Sequence, residues 1–216
     1  MTNHLLRLGL ILCIGLSTSA SKAIEVHDDL VRKFSVCDSS LFLEFKRNES
    51  TWSKVAPMAR NGDSAWIEVA DRRDDKSNEV AFSASVSASG LELLSYFDEM
   101  LDLGPAGRYH SWGFTATGDI VSVQKKIGTL VADSVRLRHD GTVFVRTELK
   151  VGNGPWQKVN TANAAVGLTQ VERVFMIEQH ETRPKVVRLT CSLQGSVSAN
   201  TLSEIRPDIG VQGKEK

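Results

Sequence analysis

No stretch of the chain stays apolar for the roughly 20 residues that a helix needs to cross a bilayer. The longest uninterrupted apolar run, Leu8 to Leu16, falls far short, so no integral membrane segment is expected in the working protein. Charge of one sign is equally absent: 26 basic residues meet 26 acidic ones, which argues against an electrostatic pull toward nucleic acid or an anionic membrane. Cysteine is scarce, at three residues. Cys13, Cys37 and Cys191 are too far apart for a CxxC redox centre or for the clustered thiolates of a zinc site. The histidines are scattered as well, and the Asp71 to Asp75 run lacks the alternating ligands and glycine of a calcium loop. His27-Asp28-Asp29 offers a divalent ion a weak hold at most. No metal and no cofactor are therefore expected.

What the N-terminus does contain has the order of a secretory leader. Arg7 supplies a positive charge, Leu8 to Leu16 an apolar core, and Ser17 to Ala23 a small-residue stretch in which Ser21 and Ala23 suit the small-x-small rule of signal peptidases. Cleavage is expected after Ala23, with Ala20 as the alternative, and the product belongs in the periplasm or outside the cell. A lipid anchor at Cys13 does not fit, because bulky Leu12 precedes it inside the apolar run. Loss of residues 1–23 removes Arg7 and Lys22 and no acid, leaving 24 basic against 26 acidic residues and a charge of −2. It also leaves Cys37 and Cys191 alone. In an oxidising compartment such a pair reads as one disulfide.

The remaining chain suits a single globular domain over residues 24–205, followed by a tail, 206–216, rich in charge and poor in groups to bury. Two helical pieces are expected between Asp28 and Asn48, the second capped by Asp38 or Ser39. Strands are expected at Ala65 to Ala70, Glu79 to Val86 and Arg108 to Thr115, where apolar residues alternate with polar or small ones. Leu91, Leu94, Phe97 and Leu101 are spaced as on a helix. In the segment 119–128, Ile120, Val123 and Ile127 share a helical face behind Thr117 or Asp119, although Ile120 to Val123 also suits an extended chain. Asp140-Gly141 stands between two alternating runs, Ser134 to Arg138 and Val143 to Val151, a strong hairpin signal. Gln170 to Gln179 and Lys185 to Leu193 complete the strands, with Asn160 to Gly167 as a polar loop. The fold class expected is α+β: a mostly antiparallel sheet with two to four helices packed on one face.

Catalytic motifs fail for want of partners. Ser122-Val123-Gln124-Lys125 matches the S-x-x-K of serine acyl-enzymes, and Ser198-Ala199-Asn200 resembles that set's second element, but no K-T-G follows. Gly62-Asp63-Ser64 matches the start of an esterase motif whose base sits in D-x-x-H. None of His27, His110, His139 and His180 follows an aspartate by three positions, so the serine lacks its base and a turn is expected instead. The residues left for recognition are Tyr109, His110 and Trp112 on one strand, Trp156 after Gly154-Pro155, and Arg136 and Arg138 on the hairpin, of types that carry interfaces. The first expectation is thus an exported, non-enzymatic protein that binds a ligand or an envelope protein. The alternatives are a small envelope hydrolase or transferase drawing on His110, Ser111 and Asp119, and a structural or assembly accessory of the envelope.

Overall fold

The computed structural model describes residues 23–26, 29–160 and 170–210. The leader as far as Lys22, the His27-Asp28 pair, most of the 160–167 loop and the end of the tail lie outside them. The described chain opens with strand β1 (Ile24–Glu25) and three short helices, α1 (Asp29–Phe34), α2 (Ser40–Arg47) and α3 (Glu49–Trp52). Cys37 breaks α1 from α2 with a left-handed φ of 59°, and Asp38 starts α2 by accepting the Ser40 amide at 2.8 Å. A hairpin, β2 (Met58–Asn61) and β3 (Ser64–Ile67), turns through Gly62 and Asp63, with Gly62 at φ +53° where a side chain would be strained. Then come β4 (Glu79–Ala88), β5 (Leu91–Asp102), β6 (Arg108–Thr117) and α4 (Ile120–Ile127). The last third holds β7 (Arg138–Asp140), β8 (Val143–Val151), β9 (Gln157–Val159), β10 (Gln170–Gln179), β11 (Val186–Gly195), α5 (Ala199–Ile205) and α6 (Pro207–Gly210).

Among the described residues nine strands share one sheet in the order β1-β4-β5-β6-β11-β10-β8-β7, with β9 on β8, while β2 and β3 pair apart. Among these described strands only β1 and β4 run parallel. With 23% helix and 44% strand, the chain is a mostly-strand α+β body, as its alternating runs predict. The helices meet the sheet through aromatic side chains. Phe34 of α1 sets its ring edge against Phe114 and Phe175, and Phe45 of α2 against Tyr96 and Phe114. Val123 and Ile127 of α4 and Ile205 of α5 join the same buried cluster. Asp119 settles the ambiguous 119–128 segment as a helix by accepting the Ser122 amide at 2.9 Å, an N-cap that satisfies an otherwise orphaned donor. No helix among the described residues is long and apolar enough to cross a membrane.

Three expectations need correction. The segment at Leu91 is strand β5, not a helix. Tyr96 and Asp98 on one face and Ser95 and Phe97 on the other are all buried, and a strand covered on both faces loses the clean alternation that would mark it. A bulge between Leu93 and Ser95 shifts the phase as well. Ser134 to Arg136 forms a tight helical turn rather than strand, leaving Val135 91% exposed, because the Arg136 guanidinium turns inward to the carbonyls of Thr147 and Val159. The hairpin itself stands, with Asp140 opposite Val143. Finally, the ordered body runs past residue 205: Arg206 and Asp208 are fully buried, since each neutralises the other's charge.

Cys37 and Cys191 are joined, with Cα atoms 5.3 Å apart and both residues fully buried. The bridge fastens the turn after α1 to β11 across 154 residues of chain. Closing a loop of that length restricts the unfolded chain by about 5 kcal/mol at most. A chain lacking residues 1–23, and so Cys13, unfolded in denaturant without reduction will therefore show no reactive thiol, and a Cys37→Ala, Cys191→Ala double variant will lose several kcal/mol in urea unfolding. Two titratable thiols in the unreduced protein would contradict the bridge.

Candidate functional site

Strand alternation divides the residues that the sequence groups together. On β6, Tyr109 points to one face of the sheet while His110 and Trp112 point to the other. No single pocket gathers all three. Tyr109 is half-buried, whereas His110 is 2% exposed and Trp112 is fully buried. The alternative catalytic set is divided in the same way. Ser111 lies opposite His110 and donates to Glu99 at 2.8 Å, and Asp119 is occupied at the start of α4, where Ser122 donates to it at 2.7 Å. That bond also engages the serine of the S-x-x-K match.

The face of Trp112 carries a cluster that sequence reasoning does not reveal. Pairing places Asp98 of β5 opposite Trp112. There Asp98 accepts from Arg72 and Arg206, both at 2.7 Å. Asp208 accepts from Arg206 at 2.9 and 2.7 Å and from Arg72 at 2.9 Å. Two guanidinium groups and two carboxylates thus close a neutral ring joining the 71–78 connector, the centre of β5 and the C-terminal segment. The Arg206 guanidinium also stacks over Trp112 at 4.7 Å and lies 5.4 Å from the Phe42 ring. Burial opposes the charge of Arg206, but Asp208 and Asp98 more than offset it and raise its pKa. Burial likewise opposes ionisation of Asp208, and the Arg206 guanidinium outweighs it, holding the carboxyl below its ordinary value.

Around this ring several polar atoms have no hydrogen-bond partner among the described residues: Asp98 Oδ1, Arg206 Nη1, the Tyr96 hydroxyl, Trp112 Nε1 and both ring nitrogens of His110. Burial, with the fields of Arg206 and Arg108, pushes the His110 imidazole down to about 3. At neutral pH it is an uncharged core side chain with no route to an external substrate.

The opposite face carries a second polar group. Arg188 lies 3.8 Å over the Phe97 ring, donates to Glu99 at 2.8 Å and approaches Glu178 at 3.7 Å. Tyr109 lies alongside, its phenol pushed up by burial and then by Glu178. The side chains of Arg188, Glu99 and Glu178 keep 22 to 29% of their exposure, so the group is ordered and still reachable. Around the start of β6 and the end of β11, Asp102, Gly104, Gly107, Arg108 and Gly195 to Ser198 line an open groove of about 560 Å³.

The other candidates have local duties. Trp156 is half-buried beneath the Arg173 guanidinium at 4.4 Å, which Glu148 holds at 2.9 and 2.7 Å. Arg136 braces the turn before β7, and Arg138, 34% exposed, approaches Asp140 at 3.7 Å. Among the described residues no three His, Cys, Asp or Glu side chains converge as metal ligands. Compared with protein-family models, curated proteins and solved structures, the chain matches none.

Removing one partner from the buried ring leaves an uncompensated charge, a change worth about 3–5 kcal/mol. Asp208→Ala is expected to lose that much in urea unfolding. A loss below about 1 kcal/mol would show that the ring is solvated and does not hold the C-terminal segment.

Proposed function

We propose that this is an exported protein, periplasmic or secreted, released by cleavage after Ala23, which binds a ligand or protein partner rather than transforming a substrate. The observation that carries the reading is the buried Cys37–Cys191 bridge, because disulfides persist where the surroundings are oxidising. A chain beginning at Ile24 also keeps everything β1 contributes, including the pairing of Ile24 with Val86 and the Val26 amide bond to the Ser87 carbonyl at 2.9 Å.

In this reading the helices cover the sheet face that bears Tyr96, Trp112 and Phe114, and recognition belongs to the opposite face. Tyr109 and Arg188 are the contact residues of choice there. Arg188 is already oriented by Phe97 and Glu99, so little side-chain freedom remains to be lost on binding. The burial of His110 and the dispersal of Ser111 and Asp119 favour binding over the hydrolase alternative.

The test has two parts on the same material. Intact mass of the protein recovered from the extracytoplasmic fraction should correspond to Ile24–Lys216 with both thiols oxidised. Capture from an envelope extract should retain a partner that Tyr109→Ala reduces by about tenfold, the scale of an interface hot spot. Recovery with Met1 attached and thiols free would overturn export. Turnover in a hydrolase substrate screen, with nothing captured, would overturn binding.

A further inference from the structure

The last described segment, α5 and α6, is held by side chains, among them Leu202 packed against the core and Arg206 lying over Trp112 at 4.7 Å. Ile205 and Thr201 are buried, and Lys150 reaches Glu204 at 3.8 Å. Beyond these, Arg206 and Asp208 fasten the segment to Asp98 and Arg72. Lifting it away breaks no strand pairing, and the disulfide holds β11 to the Cys37 turn meanwhile. A unit of this kind opens at a lower free energy than the whole domain.

His110 lies on the same sheet face as Trp112, two residues along β6, and Arg206 of this segment lies over the Trp112 ring at 4.7 Å. The charged groups acting on it are the guanidinium groups of Arg206 from the C-terminal segment, Arg108 from its own strand and Arg72 from the 71–78 connector, opposed by the Asp208 carboxylate of α6. Its strand neighbours, Met100 on β5 and Leu193 on β11, carry no charge, and Asp98, two positions from Met100, accepts from Arg72 and Arg206 through Oδ2 while its Oδ1 has no partner among the described residues. An imidazolium here would face three guanidinium groups with no hydrogen-bond acceptor among the described residues for either N–H. Displacing α5 and α6 removes Arg206 and admits water.

We propose that the segment from Ala199 to Ile209 is an acid-released clasp: a protonated His110 and a docked Arg206 exclude each other, so mild acid detaches the segment while the nine-stranded sheet stays intact. The sign follows from linkage. The imidazole is at about 3 in the closed form against an ordinary 6.5, so the open form binds the extra proton throughout that interval. Closure is at full strength above pH 6.5 and weakens steadily as pH falls toward 3. Asp208, held below its ordinary 3.8, releases its partners only in stronger acid. Between roughly pH 4.5 and 6.5 the response therefore reports the histidine.

Hydrogen exchange followed by mass spectrometry on the full disulfide-bonded mature chain, at about pH 7.5 and about pH 5 and corrected for intrinsic rates, tests the clasp. Protection across 199–209 is expected to fall by about tenfold or more in acid while β6 and β11 keep theirs, and His110→Gln should abolish the fall. Equal loss across the sheet, or an undiminished response in His110→Gln, would overturn the proposal. Should that variant fail to fold, imidazole titration of the unaltered chain by NMR decides: His110 must protonate in step with the loss of protection at 199–209. Protonation with the segment still protected contradicts the clasp.

Discussion

A guanidinium group taken wholly out of water is the constraint around which this chain is arranged. Arg206 cannot remain buried without opposite charge, and the charge comes from two distant places: Asp208, which enters with it, and Asp98, set in the middle of β5. Asp98 in turn draws in Arg72. One desolvated charge thereby fixes where the 71–78 connector runs, where the C-terminal helices end and which residue the centre of β5 must carry. Buried ion pairs add little net stability compared with apolar packing, yet breaking one is costly. The ring consequently specifies position more than it strengthens the fold.

The disulfide and the ring divide the work of holding the chain outside the sheet. Cys37–Cys191 joins the N-terminal helices to β11 covalently and is insensitive to pH. The ring joins the C-terminal helices to β5 electrostatically. One end of the molecule is thus permanently fastened and the other conditionally so, with His110 buried on the sheet face that carries Trp112 and Arg206. The opposite face of the sheet, where Arg188 is steadied between Phe97 and Glu99, depends on neither attachment.

Much of this was legible in the sequence, for identifiable reasons. The strand holding Cys191 alternates cleanly because Val187, Leu189, Cys191 and Leu193 share one apolar face, and the Asp140-Gly141 turn and the Asp119 cap carry their own chemistry. β5 was not legible, because burial on both faces and a bulge disguise its period. That misreading also concealed the ring. Only in a strand does Asp98 fall on the face of Tyr96 and Met100, where a carboxylate demands a partner. Arg206-Pro207-Asp208 read as a solvated tail for a related reason, since adjacent opposite charges look the same in sequence whether they face water or each other. The aromatic trio at 109–112 was found by composition, but composition says nothing of which side of a strand each residue faces.

A double-mutant cycle on Asp98 and Arg206, followed by urea unfolding of the disulfide-bonded chain, is the most direct test of the central claim. If one desolvated charge pair organises the region, each alanine substitution will be strongly destabilising, the double variant will be far less damaging than the two effects added, and the coupling will reach about 2 kcal/mol or more. Additive effects, with coupling below about 0.5 kcal/mol, would mean that the two side chains do not depend on each other, and the account would fail.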